Sequence, residues 1–260
     1  MRLKLQLQTQ KENILPFNYE YAISAWIYRT LSKADAIFAT WLHDKGYSLE
    51  DNHRKFKLFT YSKIVPSKPY RIIKKRGILL QNGQAHLTLS FLIDKAMQDF
   101  VIGLFQSQSL NIYIRSGRID FKITNVEILL APAFLPVMQF RAKTPVFMSK
   151  RMENIPQPIY ISPENDTNYK TLFINNLIEK AKALGENIPA TLTDLKVLNQ
   201  PKEKLLNIDR TNIKAFEFDF ILVAPVELIR IGYFAGFGGK NSSLGLGYCE
   251  TVPIAIGITG

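Results

Sequence analysis

The chain has 260 residues, 47% of them hydrophobic and 21% charged, a balance that excludes a disordered chain and allows one large domain or two of ordinary size. Its 33 Lys and Arg against 22 Asp and Glu give a formal net charge of +11, which suits a polyanionic partner or an acidic membrane surface. A single cysteine, Cys249, excludes an intrachain disulfide and a cysteine zinc cluster.

At the N-terminus Leu3, Leu5 and Leu7 alternate with polar residues, the pattern of a strand and not of a signal-peptide core. Pro16 and Asn18 then open a helix with Ile23, Ile27 and Leu31 at spacings of four, and Tyr21, Ser24 and Tyr28 on a neighbouring face. Asp35 is placed to cap a second, shorter helix that buries Ile37, Phe38, Trp41 and Leu42. Its other side carries Ala36, Ala39, Thr40 and His43, small residues that would leave space beside the imidazole. Lys55 to Val65 reads as one strand, and Asn82-Gly83 reads as the turn of a hairpin between Gly77–Leu80 and Gln84–Phe91. A helix over Asp94 to Ser107 and strands on either side of Gly117 complete the first half.

Prolines in the segment from Ala131 to Pro136 mark a boundary, which divides the chain into 1–133 and 134–260. In the second half a strand near Val137 to Arg141 precedes a helix from Asn168 to Leu184, with Phe173, Leu177, Ala181 and Leu184 on one face and Gly185 at its end. Thr191 to Asn199 and Ile213 to Val223 read as strands, Pro225 to Ala235 as a helix and Leu246 to Ile254 as a strand. Both halves thus read as strand, helix, strands, helix, strand, the outline of an α+β, ferredoxin-like (RRM-like) unit. The longest apolar stretches are interrupted by Glu127 and by Glu227 and Arg230, so neither reads as a membrane span. A cytoplasmic protein with no membrane contact is the expectation.

Three histidines are present. His86 lies in a strand and His53 in a charged loop, whereas His43 stands at a helix C-terminus, where carbonyls favour imidazolium and a proton can be exchanged near neutral pH. A helix-capping role without chemistry fits the same position. No HExxH, CxxC or GxSxG occurs, so neither a metal nor another cofactor is expected. RNA can be cut without one, because its 2′-hydroxyl attacks the adjacent phosphate once a base, an acid and a cation are in place. Finally, Gly236-Phe237-Gly238 and Gly245-Leu246-Gly247 bracket a polar centre. Such a loop is either a structural turn or a phosphate cradle made of exposed amides.

The stretches PFNYEYAISAWIYRTL, FATWLHDKG, KLFTYS and GFGGKNSSLGLG, which fall in this order between residues 16 and 247, resemble the CRISPR-associated repeat-processing endoribonucleases, the Cas-six family of RAMP proteins. The resemblance implies two tandem ferredoxin-like domains, binding of CRISPR repeat RNA, and metal-independent cleavage to 5′-hydroxyl and 2′,3′-cyclic phosphate ends. Carried over, it makes His43 the proton-transfer residue, Tyr28 the residue that positions the 2′-hydroxyl, and Lys57 the cation beside the phosphorane. The segment before KLFTYS is longer than in similar members and holds His53, Arg54 and Lys55, so His53 or Lys55 are substitutes for Lys57. RNA gripping is assigned to Gly236, Gly238, Lys240, Asn241, Ser242, Gly245, Gly247 and Arg230, with Lys240 toward phosphate. The alternative is a non-catalytic RAMP subunit of a CRISPR effector complex, which would not need His43, Tyr28 and Lys57. Either a monomer or a homodimer is compatible with this reading.

Overall fold

Leu3, Leu5 and Leu7 are all buried in a strand, Arg2–Gln8, and that strand is central to the first sheet. The computed structural model describes residues 1–49, 54–152, 155–164, 167–189, 192–208, 211–239 and 241–253. Arg2–Gln8 pairs antiparallel with Gly117–Leu129 on one side and Gln84–Phe91 on the other, and Gln84–Phe91 pairs in turn with Phe59–Tyr61. Helices α1 (Glu20–Ala34) and α2 (Ala36–Asp44) follow the first strand, and α3 (Asp94–Gln106) follows Gln84–Phe91. In chain order the strands lie fourth, first, third, second across the sheet, which is the ferredoxin-like arrangement. Ser109–Ile114 adds an edge beside Gly117–Leu129. Ile23, Ile27 and Leu31 of α1 and Phe100 and Leu104 of α3 cover Leu3, Leu5, Leu87 and Leu89.

After residues 130–136 the same order recurs. Val137–Ala142, α4 (Tyr169–Lys182), Asp194–Val197, Asp219–Val223, α5 (Val226–Ala235) and Cys249–Val252 follow one another. Their strands pair antiparallel in the order 194–197, 219–223, 137–142, 249–252. The core of this half is aromatic: the Phe237 ring lies 4.8 Å from Phe140, 5.8 Å from Phe173 and 5.3 Å from Phe220, centroid to centroid. The chain is therefore α+β, with two tandem ferredoxin-like folds. Among the described residues no helix is long and apolar enough to cross a membrane.

Arg2 ties the two halves together. Its buried Nη2 donates to Tyr233 O at 2.6 Å and Cys249 O at 2.7 Å, while Nε donates to Ser90 Oγ at 3.3 Å. The guanidinium also lies over the rings of Tyr233 and Tyr248, 3.4 and 4.3 Å from their centroids, so its charge is met by carbonyls and ring faces.

Four local expectations are corrected. Gly77–Leu80 does not pair across Asn82-Gly83 but with Asn13–Pro16 and Tyr70–Ile73. The reason is that both edges of Gln84–Phe91 are already taken, one by Arg2–Gln8 and the other by 59–61 and 65–66. The strand expected over 55–65 is broken at Leu58, which has φ 55, into Lys55–Phe56, Phe59–Tyr61 and Val65–Pro66. On α2 Leu42 is buried as expected and Phe38 and Trp41 pack partly buried against the core, but Ile37 is 84% exposed and the small Ala39 is buried instead. The run 213–223 is divided between Thr211–Glu217, paired with Lys202–Ile208, and Asp219–Val223 of the main sheet.

Candidate active site

Asp35 ends α1 and starts α2, its carboxylate accepting the Phe38 amide at 2.8 Å, an N-cap that fixes the turn. α2 therefore folds back along α1, and the Tyr28 and His43 rings meet edge to face with centroids 4.9 Å apart at 85°. His43 Nδ1 lies 2.8 Å from Asp44 Oδ1, and its side chain is 63% exposed. With Nδ1 turned to Asp44, Nε2 is the atom left for a substrate. The hydrogen bond from His43 is the first cause that holds the Asp44 carboxyl below its ordinary range. Tyr28 packs against Phe59 on its other side, ring centroids 5.6 Å apart. Burial raises the Tyr28 pKa, a shift that a hydrogen bond with Ser243 partly offsets, so the phenol is a neutral O–H donor at neutral pH.

Gly46, with φ +65, turns the chain out of α2 and brings residues 55–57 back beneath its end; a Cβ there would stand 2.8 Å from Phe56 O. Lys57 Nζ donates to Leu42 O and His43 O, both at 2.5 Å, and Lys55 Nζ to Asp44 O at 2.7 Å. The two lysines thus meet the carbonyl end of α2, where positive charge is favoured. Partial burial lowers the Lys57 pKa to about 8, with Lys55 adding to the shift and Asp44 opposing it. Of the sequence candidates, Tyr28, His43, Lys57 and Lys55 come together around the end of α2. His53 lies outside the described residues.

The glycine-rich loop follows α5 and packs across the first sheet, with Thr60 Oγ1 donating to Leu246 O at 3.0 Å. The expectation of exposed glycine amides is corrected. Gly236, Gly238, Gly245 and Gly247 are buried, and the Gly245 and Gly247 amides donate internally to Ser242 O and Pro145 O, both at 2.9 Å. A Cβ on Gly247 would sit 1.9 Å from Phe237 O, and one on Gly245 2.4 Å from the Tyr61 ring. These glycines let two backbones touch, and the Gly245 and Gly247 amides are used inside the fold. What the loop leaves half-exposed is Asn241, with φ 79, and the short turn Ser242–Leu244, from which Ser243 reaches Tyr28. Lys240 lies outside the described residues. Arg230 is exposed on α5 with its guanidinium 5.9 Å from the Phe234 ring centroid, and its charge helps to lower the pKa of the Met1 ammonium, after burial of that group.

One residue in this arrangement escaped the sequence reading. Lys180 of α4 is 1% exposed, and its Nζ donates to Gly236 O at 2.6 Å and Gly238 O at 3.1 Å. Burial lowers its pKa to about 7. The neighbouring Glu179 pairs with Arg54, just ahead of Lys55 and Lys57. α4 therefore holds the glycine loop by one residue and the approach to Lys57 by the next. A signal was available, since Lys180 stands seven residues after Phe173 and three after Leu177 on the apolar stripe.

Two ferredoxin-like folds in tandem, with a glycine-rich loop against the first sheet, define the structural class. A solved structure described as "An RAMP protein binding different RNA substrates" shares this fold at a TM-score of 0.81 and 20% identity, covering 97% of this chain and 100% of that one. Within this class the chain belongs to the Cas6 family: the model for "CRISPR-associated protein Cas6, N-terminal" matches residues 14–127 and that for "CRISPR associated protein Cas6, C-terminal" matches residues 129–251. It is 29% identical over 255 residues to "CRISPR-associated endoribonuclease Cas6 1" of Methanocaldococcus jannaschii, covering 97% of this chain and 93% of that protein. It is also similar to a solved "CRISPR associated protein Cas6" at a TM-score of 0.78 and 27% identity, covering 97% and 99% of the two chains.

Proposed function

We propose that this chain is a cytoplasmic endoribonuclease that cuts CRISPR repeat RNA without a metal ion, with residues 1–133 carrying the chemistry and residues 134–260 the RNA-gripping loop. In this reading the 2′-oxygen beside the cut attacks the adjacent phosphorus and the bond from phosphorus to the 5′-oxygen breaks. The proton of the 2′-hydroxyl passes to a base, and the departing 5′-oxygen receives one from an acid. The products are a 2′,3′-cyclic phosphate and a 5′-hydroxyl.

The observation that carries the reading is the contact of Tyr28 with His43, two rings 4.9 Å apart at the exposed end of α2. His43 offers Nε2 for proton transfer. Tyr28, kept as a neutral O–H by burial, supports the role of holding the 2′-hydroxyl. Lys57, with a pKa lowered to about 8, is still mostly charged at neutral pH and supplies positive charge beside the phosphorane. Its bonds to Leu42 O and His43 O also fix the backbone that presents His43. Replacing His43 by Ala should lower the cleavage rate about 10² to 10⁴-fold, the usual contribution of a general acid or base. Cleavage by His43→Ala at the wild-type rate would remove this residue from the mechanism.

A further inference from the structure

From Asn52 to Ile93 the sequence contains nine Lys and Arg and no Asp or Glu. Arg54, Lys55 and Lys57 lie at or near the reaction centre, and Lys63 pairs with Glu217 at 2.5 Å. The other five, Lys68, Arg71, Lys74, Lys75 and Arg76, are all exposed, and among the described residues none has a carboxylate partner. Arg71 lies in a small separate sheet in which Gly77–Leu80 runs between Asn13–Pro16 and Tyr70–Ile73, Lys74, Lys75 and Arg76 form the turn between two of its strands, and Lys68 stands just before it. Tyr70–Ile73 is its free edge, and Tyr70 and Ile72 on that edge are 41% and 67% exposed.

The ribbon is fixed in place relative to the site by the strand Gln84–Phe91. Phe59, two residues after Lys57, pairs with Phe91, and Ser67, just before the ribbon, donates its amide to Gln84 O. At about 3.3 Å per strand residue, the two levels are about 23 Å apart.

We propose that the ribbon 70–80 is a second RNA-contact surface, which holds the backbone of the unpaired strand leading away from the cut through Arg71, Lys74, Lys75 and Arg76 and stacks a base on Tyr70. An exposed aromatic ring among cations with no carboxylate partner, held about 23 Å from the level of Lys57 on the same sheet, fits phosphates with bases between them better than an acidic protein surface. This proposal rests on the endoribonuclease reading for its substrate, but it has an independent probe. Binding of a polyuridine RNA, followed by fluorescence anisotropy against salt, is compared between the wild type and the variant R71Q/K74Q/K75Q/R76Q. If all four cations meet phosphates, the magnitude of the slope of log K against log salt should drop by about 3, at about 0.7 per phosphate of a single strand. Tyr70→Ala should weaken binding at least about 5-fold. A minimal repeat fragment spanning only the cut should be cleaved by the variant at the wild-type rate. Unchanged polyuridine affinity and slope in the variant would overturn the ribbon proposal, and do so whether or not the repeat is cut. Failure of the wild type to cut its repeat would instead overturn the endoribonuclease reading.

Discussion

Replacing Lys180 by Met keeps the length and apolar stem of the side chain and removes only its nitrogen, so it isolates the hold on the glycine loop. In the wild type, burial lowers the Lys180 pKa from 10.5 to about 7, and the native state therefore binds that proton less tightly than the unfolded chain does. Between pH 7 and 10.5 the unfolded chain carries more protons, so stability rises with pH across that window. The penalty of the buried charge is complete below pH 7 and gone above pH 10.5, and amounts to ~5 kcal/mol at ~1.4 kcal/mol per pH unit. On the order of 1 kcal/mol of it is relieved between pH 6 and pH 8. Lys180→Met has no such penalty, but it strips the Gly236 and Gly238 carbonyls of their donor, at a cost of about 1–3 kcal/mol each. Urea unfolding at a series of pH values should therefore show the wild type gaining on the order of 1 kcal/mol on the variant from pH 6 to pH 8. At pH 9 the variant should be the less stable of the two by several kcal/mol. Parallel pH profiles would refute a buried, titrating Lys180.

Two further outcomes follow from the same geometry. If Lys57 acts through its charge, cleavage should slow as pH rises through about 8, the value to which partial burial lowers it; Lys57→Arg should shift that decline to higher pH, and an unmoved decline in a pH–rate profile would assign it to another group. Arg2→Met should lower the thermal midpoint, because it takes the guanidinium donor from the buried Tyr233 and Cys249 carbonyls, at about 1–3 kcal/mol for a carbonyl left without a partner. Calorimetry that finds the midpoint unchanged would show that the two halves do not depend on this clamp.

The fold was legible wherever a period or a cap decides it. The alternation of Leu3, Leu5 and Leu7 and the stripe through Phe173, Leu177 and Ala181 both mark the buried faces seen in the structure. Pairing was less legible, since Asn82-Gly83 signals a turn but not the sheet to which each arm goes. That choice was made by the competing partners of Gln84–Phe91. At the site, the glycine content of residues 236–247 announced close backbone approach without showing that the amides point inward. Lys180 was hidden because a lysine on an apolar stripe ordinarily reaches back to solvent, whereas here two carbonyls from the other end of the domain meet it inside. The contact of Ser243 with Tyr28 joins residues more than two hundred positions apart, beyond the reach of any local pattern.

The central claim is that this chain cuts RNA by 2′-hydroxyl attack without a metal. It is tested most directly by incubating the wild-type protein in EDTA with its repeat RNA, either unmodified or carrying one 2′-deoxy nucleotide at the cut. The unmodified RNA should be cut to 5′-hydroxyl and 2′,3′-cyclic phosphate ends, while the 2′-deoxy RNA stays intact. Cutting of the 2′-deoxy RNA, or loss of all cutting in EDTA, would contradict the account.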